Sequence, residues 1–463
     1  MNNLDLSQQS LLKSMKQYYN EGHTRPLEFR IKQLKTFKNL IYKYENEIVL
    51  ALYSDLARHE LESYSAEIGG IYGSITYTIK HLAKWMKPKK VKTPLHQIGS
   101  KSYIYSEPYG VALIIGPFNY PFNLCIEPLI GAIAAGNCAV IKPSEQSPNV
   151  AKVICEIVKE GFNNQYIRVV EGGKQEITRL IHSPFDYIFF TGSVTVGKII
   201  MKAASENLVP VTLELGGKSP CIVANDANLE VAVERIVWGK FFNAGQTCIA
   251  PDYLYIHSSI KDKFISLLKA KITSFYGANI KQSKDLARMG SQKHAERLAV
   301  MINTDKQKII FGGDYDINSL YIQPTLIANV TWQDACMQEE IFGPILPILT
   351  FTNINEVIKT INNHEKPLAL YLFTKSKELQ TQVLQQTSAG GCCINDSLSH
   401  FTSHYLPFGG VGNSGIGAYH GKYSYQTFSH YKSVLNKSTR IRMKMIFPPY
   451  SPKKLNLIKR FLK

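Results

Sequence analysis

The sequence predicts an α/β fold of two α/β domains, the first doubly wound about a parallel sheet, and three observations predict it. Short apolar runs recur at 111–115, 139–141, 166–170 and 187–190. A helix-length segment separates each run from the next. A second region of mixed helix and strand character then covers 211–395. Short continuous apolar strands joined by helices pair in parallel with both sheet faces covered, and such sheets take their ligands at the carboxyl ends of the strands.

In chain order, helical spacing comes first. Leu27, Ile31, Leu34, Phe37, Leu40, Ile41, Tyr44 and Ile48 recur at intervals of three and four, which predicts one long amphipathic helix over 27–57. The Lys-rich, Pro-punctuated stretch 80–101 reads as a helix end and an exposed connector. The four apolar runs follow as strands of a first domain, 1–210. The second domain takes 211–395, and 396–463 supply a Gly-rich return segment, an oligomerisation element and a basic tail. In the tail, Phe447-Pro448-Pro449-Tyr450-Ser451-Pro452 cannot be helical, whereas 453–463 can. There Leu455, Leu457, Ile458, Phe461 and Leu462 share one side of a helical wheel, with Lys453, Asn456, Lys459, Arg460 and Lys463 opposite and Lys454 at the seam.

A chain of 463 residues that is 44% hydrophobic and 19% charged has the make-up of a soluble enzyme able to bury a cleft, which sets aside disordered and fibrous classes. Its cysteines, Cys125, Cys138, Cys155, Cys221, Cys248, Cys336, Cys392 and Cys393, are scattered rather than densely spaced, so reduced thiols are expected. The start, Met1-Asn2-Asn3-Leu4-Asp5, has no basic region leading into an apolar run. The most apolar long stretch, 128–141, falls short of the roughly 18 residues of a membrane span. The expectation is a cytoplasmic protein. Net charge is +17, and ten of the bases follow His430 with no acid among them. Lys453, Lys459 and Arg460 with their apolar neighbours suggest peripheral contact of 453–463 with an anionic inner membrane surface; a solvated or partner-packed terminal helix would look the same.

Four stretches place a reactive or polar group beside glycine. In Phe242-Asn243-Ala244-Gly245-Gln246-Thr247-Cys248 a thiol follows small and polar residues, as an accessible nucleophile with a stabilised thiolate requires, although an inert buried thiol is the other fate of free cysteine. In Thr212-Leu213-Glu214-Leu215-Gly216-Gly217-Lys218 strand alternation sets Glu214 opposite Leu213 and Leu215 at a strand end. Partial burial there would raise its pKa toward that of a general base; a solvated strand-end acid is the alternative. In Gly116-Pro117-Phe118-Asn119-Tyr120-Pro121, directly after the 111–115 strand, Asn119 could donate its amide to an oxyanion or cap a helix. In Phe190-Thr191-Gly192-Ser193-Val194-Thr195-Val196-Gly197-Lys198 a strand ends in a turn that opens a helix, offering free N–H groups to phosphate without the full three-glycine fingerprint.

Together and in this order, these stretches resemble the aldehyde dehydrogenase superfamily over nearly the whole chain. Ile141-Lys142-Pro143-Ser144-Glu145, Glu339-Glu340-Ile341-Phe342-Gly343-Pro344 and Leu406-Pro407-Phe408-Gly409-Gly410-Val411-Gly412-Asn413-Ser414-Gly415 match it as well. The short N-terminal region, Asn119-Tyr120-Pro121-Phe122-Asn123 and Tyr419-His420-Gly421-Lys422 look like its class 3, fatty-aldehyde branch. The resemblance implies a dinucleotide-binding domain, a catalytic domain and a small oligomerisation element. It implies that Cys248 is the nucleophile that forms a thioester with an apolar fatty or polyene aldehyde, that Asn119 and the Cys248 N–H hold the oxyanion, and that Glu214 activates the hydrolytic water. It places Lys142 and Glu145 at the adenosine ribose, Gly192, Ser193, Val194, Thr195, Val196 and Gly197 beside the pyrophosphate, and Glu340 and Phe342 at the nicotinamide riboside. Glu145 would repel a 2'-phosphate, so NAD is expected, with Lys142 leaving NADP open. A homodimer is implied, and His420 falls near the active-site mouth or is a packed structural histidine. No metal site is expected: Cys392 and Cys393, with His400 and His404 nearby, lack zinc-ligand spacing and read as a buried thiol pair. A CoA-acylating dehydrogenase is the enzyme alternative, against which Glu214 argues. A nucleic-acid-binding protein is the alternative from another class, but the charge is regional and no reading motif accompanies it, so no nucleic acid partner is expected.

Overall fold

A computed structural model describes residues 6–441 and 444–461. The expectations on residues 1–5, Arg442, Leu462 and Lys463 lie outside the described residues.

The single helix expected over 27–57 is two, Leu27–Lys43 and Glu45–Leu56, joined at Tyr44. The apolar stripe continues across the joint, burying Leu34, Phe37, Leu40, Ile41, Ile48 and Leu52, so periodicity alone could not show the break. Glu45 and Glu47 stand in the first turn of the new helix, where its free N–H groups favour acids. A π-turn, Tyr64–Ile68, then interrupts the helical run before Gly69–Trp85. It aims Glu67 inward, and the carboxylate accepts the backbone N–H groups of Phe122 at 3.1 Å and Asn123 at 2.8 Å.

The first sheet has six strands in the order Gly415–Ile416, Val211–Glu214, Tyr187–Thr191, Val111–Ile115, Cys138–Lys142 and Ile167–Val169, all parallel except the first. The chain starts it at Val111–Ile115, winds outward through Cys138–Lys142, and returns to the other side at Tyr187–Thr191. The order therefore reverses between Val111–Ile115 and Tyr187–Thr191, the crevice where open α/β sheets take ligands. Every residue of these strands and of Cys138–Lys142 is buried, as the unbroken apolar runs require.

Val211–Glu214 pairs in this first sheet, so the chain leaves it after Glu214 rather than at the expected boundary of 210. Gly415–Ile416 also comes back to it, pairing with Glu214 and Leu213. A second sheet of seven strands runs Ile309–Phe311, Thr325–Ile327, Ile345–Phe351, Tyr253–His257, Pro220–Val223, Ala369–Phe373 and Gly391–Ile394. The third is antiparallel: Lys89–Val91, Ser100–Pro108 and Ser429–Lys437. The stretch read as an exposed connector thus contributes a strand to a sheet with the C-terminal region.

Candidate active site

Three of the four stretches end neighbouring strands of the first sheet at their carboxyl ends: Asn119 follows Val111–Ile115, Gly192 follows Tyr187–Thr191, and Glu214 closes Val211–Glu214. The fourth arrives from the second sheet's side, between helix Leu229–Phe241 and strand Tyr253–His257.

Glu214 is 2% exposed, beyond the partial burial expected, and neither carboxylate oxygen has a hydrogen-bond partner among the described residues. Burial pushes its pKa well above the usual carboxylate range. Asn119 is buried too, and it is not a cap: the following helix, Asn123–Ala135, has Phe122 at its N-cap. Its side-chain amide instead donates to the Gln246 carbonyl at 2.9 Å, two residues before Cys248.

The turn that delivers Cys248 is tight. Asn243, Ala244 and Gly245 all have left-handed φ, of 52°, 51° and 76°. A buried network holds them there. Arg58 donates to the Asn243 Oδ1 at 2.9 and 3.1 Å, to Glu67 at 2.5 Å and to the carbonyl of Asn119. Asn243 Nδ2 donates to the carbonyls of Asn119 at 2.9 Å and Gln246 at 3.2 Å, and its N–H to Glu62 at 3.2 Å. Gln246 Nε2 donates to the carbonyls of Asn243 and Arg288, at 3.1 and 3.0 Å, while its Oε1 accepts Gly290 N–H at 2.8 Å. Arg58 and Glu67 were not anticipated from sequence: isolated charged residues in a helical stretch follow no local pattern. Asn243 and Gln246 lay inside a quoted stretch without a role.

Cys248 itself is half-buried, unlike Cys125, Cys138, Cys221 and Cys336, which are buried. Burial first, then the Glu340 and Glu214 carboxylates, push the thiol up, against the backbone N–H groups of Cys248 and Ile249. Those two N–H groups point donors at the sulfur.

Glu340 shares this field. Burial and Asp252 push it up to about 8, partly offset by the Gly217 N–H, Lys218 and Arg297. Its carboxylate lies against Gly216, where a Cβ would stand 2.2 Å from Oε2. Phe342 takes a left-handed φ of 47°, and its ring sits 6.0 Å from that of Phe118. A cavity of about 270 Å³, bounded by Val194, Gly216, Gly217, Trp332, Glu340 and His364, opens here. It brings together Val194 and Glu340 of the expected cofactor residues.

Ser193 caps helix Val194–Ser205, its hydroxyl accepting the Val196 N–H at 3.4 Å, and Thr195 and Val196 are exposed in its first turn. The glycines have a packing reason the sequence did not show. A Cβ at Gly192 would stand 2.4 Å from Phe190 Cζ, and one at Gly197 2.7 Å from a Leu215 methyl. Lys142 is 1% exposed, donates to the Pro143 carbonyl at 2.6 Å and lies 3.7 Å from Glu145 on the surface. Burial lowers its pKa, with Glu145 opposing.

The exposed first turn of helix Val194–Ser205, the pair Lys142 and Glu145 two strands over, and the buried Glu340 carboxylate beside Gly216 fit a dinucleotide: donors for a pyrophosphate and acceptors for ribose hydroxyls. His420 is buried with a left-handed φ of 79°, and its ring stacks on Phe408 at 5.3 Å. Burial lowers its pKa to about 3, so the ring is neutral. Of the thiol pair, Cys393 is buried with its sulfur 3.2 Å from His400 Nδ1, whereas Cys392 is half-buried. Among the described residues no group of three or more His, Cys, Asp or Glu is placed to hold a metal ion, and no helix is long and apolar enough to cross a membrane.

The sequence pattern of the Aldehyde dehydrogenase family matches residues 8–434. The chain is 53% identical over 448 residues to the 4,4'-diaponeurosporen-aldehyde dehydrogenase of Staphylococcus aureus, covering 97% of each. It is 45% identical over 450 residues to aldehyde dehydrogenase family 3 member A2 of Mus musculus, covering 97% of this chain and 93% of that one. Among solved structures, the substrate-bound state of Staphylococcus aureus AldH superposes with a TM-score of 0.96 at 51% identity, over 100% of both chains.

Proposed function

The chain belongs to the aldehyde dehydrogenase family, as an NAD(P)-dependent oxidoreductase, and from that premise we propose that it oxidises an apolar aldehyde to the acid through a thioester on Cys248. The observation that carries this reading is Glu214: two buried acceptors with no hydrogen-bond partner among the described residues, within electrostatic reach of a half-buried thiol. Polar groups left so are rare and expensive unless they serve a ligand or a water. The sulfur loses its proton to solvent and attacks the carbonyl carbon, forming the C–S bond as the carbonyl π electrons move to oxygen. The resulting oxyanion receives the Asn119 amide and the Cys248 N–H. Held by the cofactor residues described above, a bound NAD(P) would supply the hydride acceptor that collapse of the tetrahedral adduct to the thioester requires. Glu214 then takes a proton from water, which adds to the thioester carbon; the C–S bond breaks, the acid leaves, and the proton held by Glu214 passes to the departing sulfur, restoring thiol and carboxylate.

Lys142 and Glu145 are assigned to the adenosine ribose, Gly192, Ser193, Val194, Thr195, Val196 and Gly197 to the pyrophosphate, and Glu340 and Phe342 to the nicotinamide riboside. Exposed Glu145 favours NAD; its neighbour Lys142 leaves room for NADP. An aldehyde-length series followed by NADH and NADPH formation, with wild type and Cys248→Ala, measures substrate class and cofactor together. Activity retained by Cys248→Ala would end the thioester account. Release of free acid without CoA separates hydrolysis from acyl transfer to CoA. Fatty and polyene aldehydes both fit, the latter favoured by the likeness to the staphylococcal enzyme.

We further assign the protein to a homodimer and the tail to an anionic membrane surface. The tail forms helix Pro452–Phe461 with Leu455 and Leu457 exposed, and Lys454 folds back onto the carbonyls of Phe447 and Pro449, each at 2.8 Å. Liposome co-sedimentation of full-length and 1–446 proteins tests the contact, and equal binding by both removes it.

A further inference from the structure

The oxidation chemistry makes no use of the net charge of the chain, and that charge is unevenly placed. No Asp or Glu occurs between Glu67 and Glu107, or after Asp396. These two stretches hold seven lysines and eleven lysines and arginines respectively, while the rest of the chain has nearly equal numbers of acids and bases. The whole excess of +17 therefore belongs to two segments far apart in sequence.

The fold joins them. Strand Ser100–Pro108 pairs on one side with Lys89–Val91 and on the other with Ser429–Lys437, in register from Pro108 opposite Ser429 to Ser100 opposite Lys437. Contact continues past the strand ends: Ser438 N–H donates to the Gly99 carbonyl at 2.9 Å, and Lys437 Nζ lies 3.4 Å from Gln97 Oε1. Ile441 closes over Gly99, where a Cβ would stand 2.7 Å from its Cδ1. Loop 92–99 thus packs against the point from which the tail departs. Apolar side chains stand in the midst of this charge, Leu95 75% and Ile98 57% exposed on the loop, with Phe447 58% and Tyr450 77% exposed beyond Ile441. Among the described residues the bases of both stretches make one ion pair, Lys432 with Glu107.

Clustered like charge repels itself, and exposed apolar groups within it remain in contact with water; an anionic bilayer surface relieves both at once. We propose that loop 92–99, the lysines of Lys89–Val91 and the C-terminal tail form one lipid-facing surface, occupied by an anionic bilayer, with Leu95 and Ile98 entering the interface. This rests on the membrane reading of the tail and adds a second contact to it. One tether lets the enzyme tumble; two contacts fix which side faces the lipid and raise the effective concentration of each other.

The test uses full-length protein with K89Q/K90Q/K92Q, L95S/I98S or K453Q/K454Q/K459Q/R460Q, sedimented with vesicles of equimolar phosphatidylcholine and phosphatidylglycerol or of phosphatidylcholine alone. Wild type should bind only the anionic vesicles. Each set of substitutions should lower the partition coefficient by about tenfold or more, since a single base near such a surface contributes about fivefold, with turnover on a short soluble aldehyde unchanged. Loss in the tail variant alone, with both loop variants matching wild type, overturns the loop assignment and leaves the tail reading standing. Failure of wild type to sediment overturns both. Preference of wild type for duplex DNA over anionic vesicles at matched phosphate concentration overturns the choice of lipid as occupant.

Discussion

Removing the Arg58 guanidinium would leave the Glu67 carboxylate, itself wholly buried, without its ion-pair partner and would release the carbonyl of Asn119 and the amide of Asn243 together. Breaking one member of a buried pair typically costs about 3–5 kcal/mol, so Arg58→Met should lower the denaturant midpoint sharply, and adding Glu67→Gln should recover part of the loss. A single variant as stable as wild type would show that the network does not hold the turn. Glu214 and Cys248 make a different prediction. Burial raises both pKa values, and both groups act in their deprotonated forms, so turnover should climb as pH rises rather than level off at neutrality. Glu214→Gln should accumulate acyl-enzyme visible by intact mass, because deacylation fails while attack proceeds. The pH dependence of that acylation then reports the thiol alone. Fast steady turnover of Glu214→Gln would contradict the assigned base. At this scale the sequence pointed to Glu214 and Asn119 because each lies near glycine at the end of an apolar run, and to Cys248 because its thiol follows small and polar residues. It could not point to Arg58 or Glu67, whose partners come from other elements, nor show that burial, with the Glu340 and Glu214 carboxylates, pushes the thiol pKa up.

The strand-turn-helix from Tyr187 to Ser205 is built around two missing side chains. Gly192→Ala would drive a methyl into Phe190, and overpacking of this kind typically costs about 1–3 kcal/mol with local backbone shift. The first turn of helix Val194–Ser205 would move with it, so cofactor affinity should fall more than stability. Phe190→Leu in the same chain should restore affinity, and titration of cofactor fluorescence measures both. Restoration would show that the glycine serves packing; persistent loss in the double variant would return it to ligand approach. Elements with one clear period were legible. The central strands Val111–Ile115, Cys138–Lys142 and Tyr187–Thr191 appear within a residue or two of the apolar runs, since a strand buried on both faces must be apolar throughout, and the edge strand Ile167–Val169 does so with Arg168 exposed. The break at Tyr44 and the π-turn at Tyr64–Ile68 were not, because the buried face continues through both and only backbone geometry changes. Val211–Glu214 reads equally well as the last strand of one region or the first of the next, and pairing partners decide it.

At the scale of the molecule, the antiparallel sheet of Lys89–Val91, Ser100–Pro108 and Ser429–Lys437 stands apart, with Ser429–Lys437 as one edge. Its nine residues have a single pairing partner among the described residues, and Tyr431 and Leu435 are 44% and 49% exposed on it. A long edge with unpaired backbone groups and apolar side chains is a template for another strand. Lysines on edges discourage such pairing, and Lys432 and Lys437 sit here, so addition of a second chain must place them beside acids or solvent rather than opposite one another. Lys432 already has Glu107 from the neighbouring strand, which removes one of the two objections. The homodimer assigned above is therefore expected to use this edge. Tyr431→Asp/Leu435→Asp should shift the particle from dimer to monomer in light scattering, with the far-ultraviolet circular dichroism kept, because both side chains stand outside the core. Leu95→Ser/Ile98→Ser, on the loop at the other end of the same sheet, should leave the dimer intact. If both double variants dissociated it, the sheet would be meeting its twin through its loop end, and the lipid-facing surface and the subunit interface would be competing for the same residues.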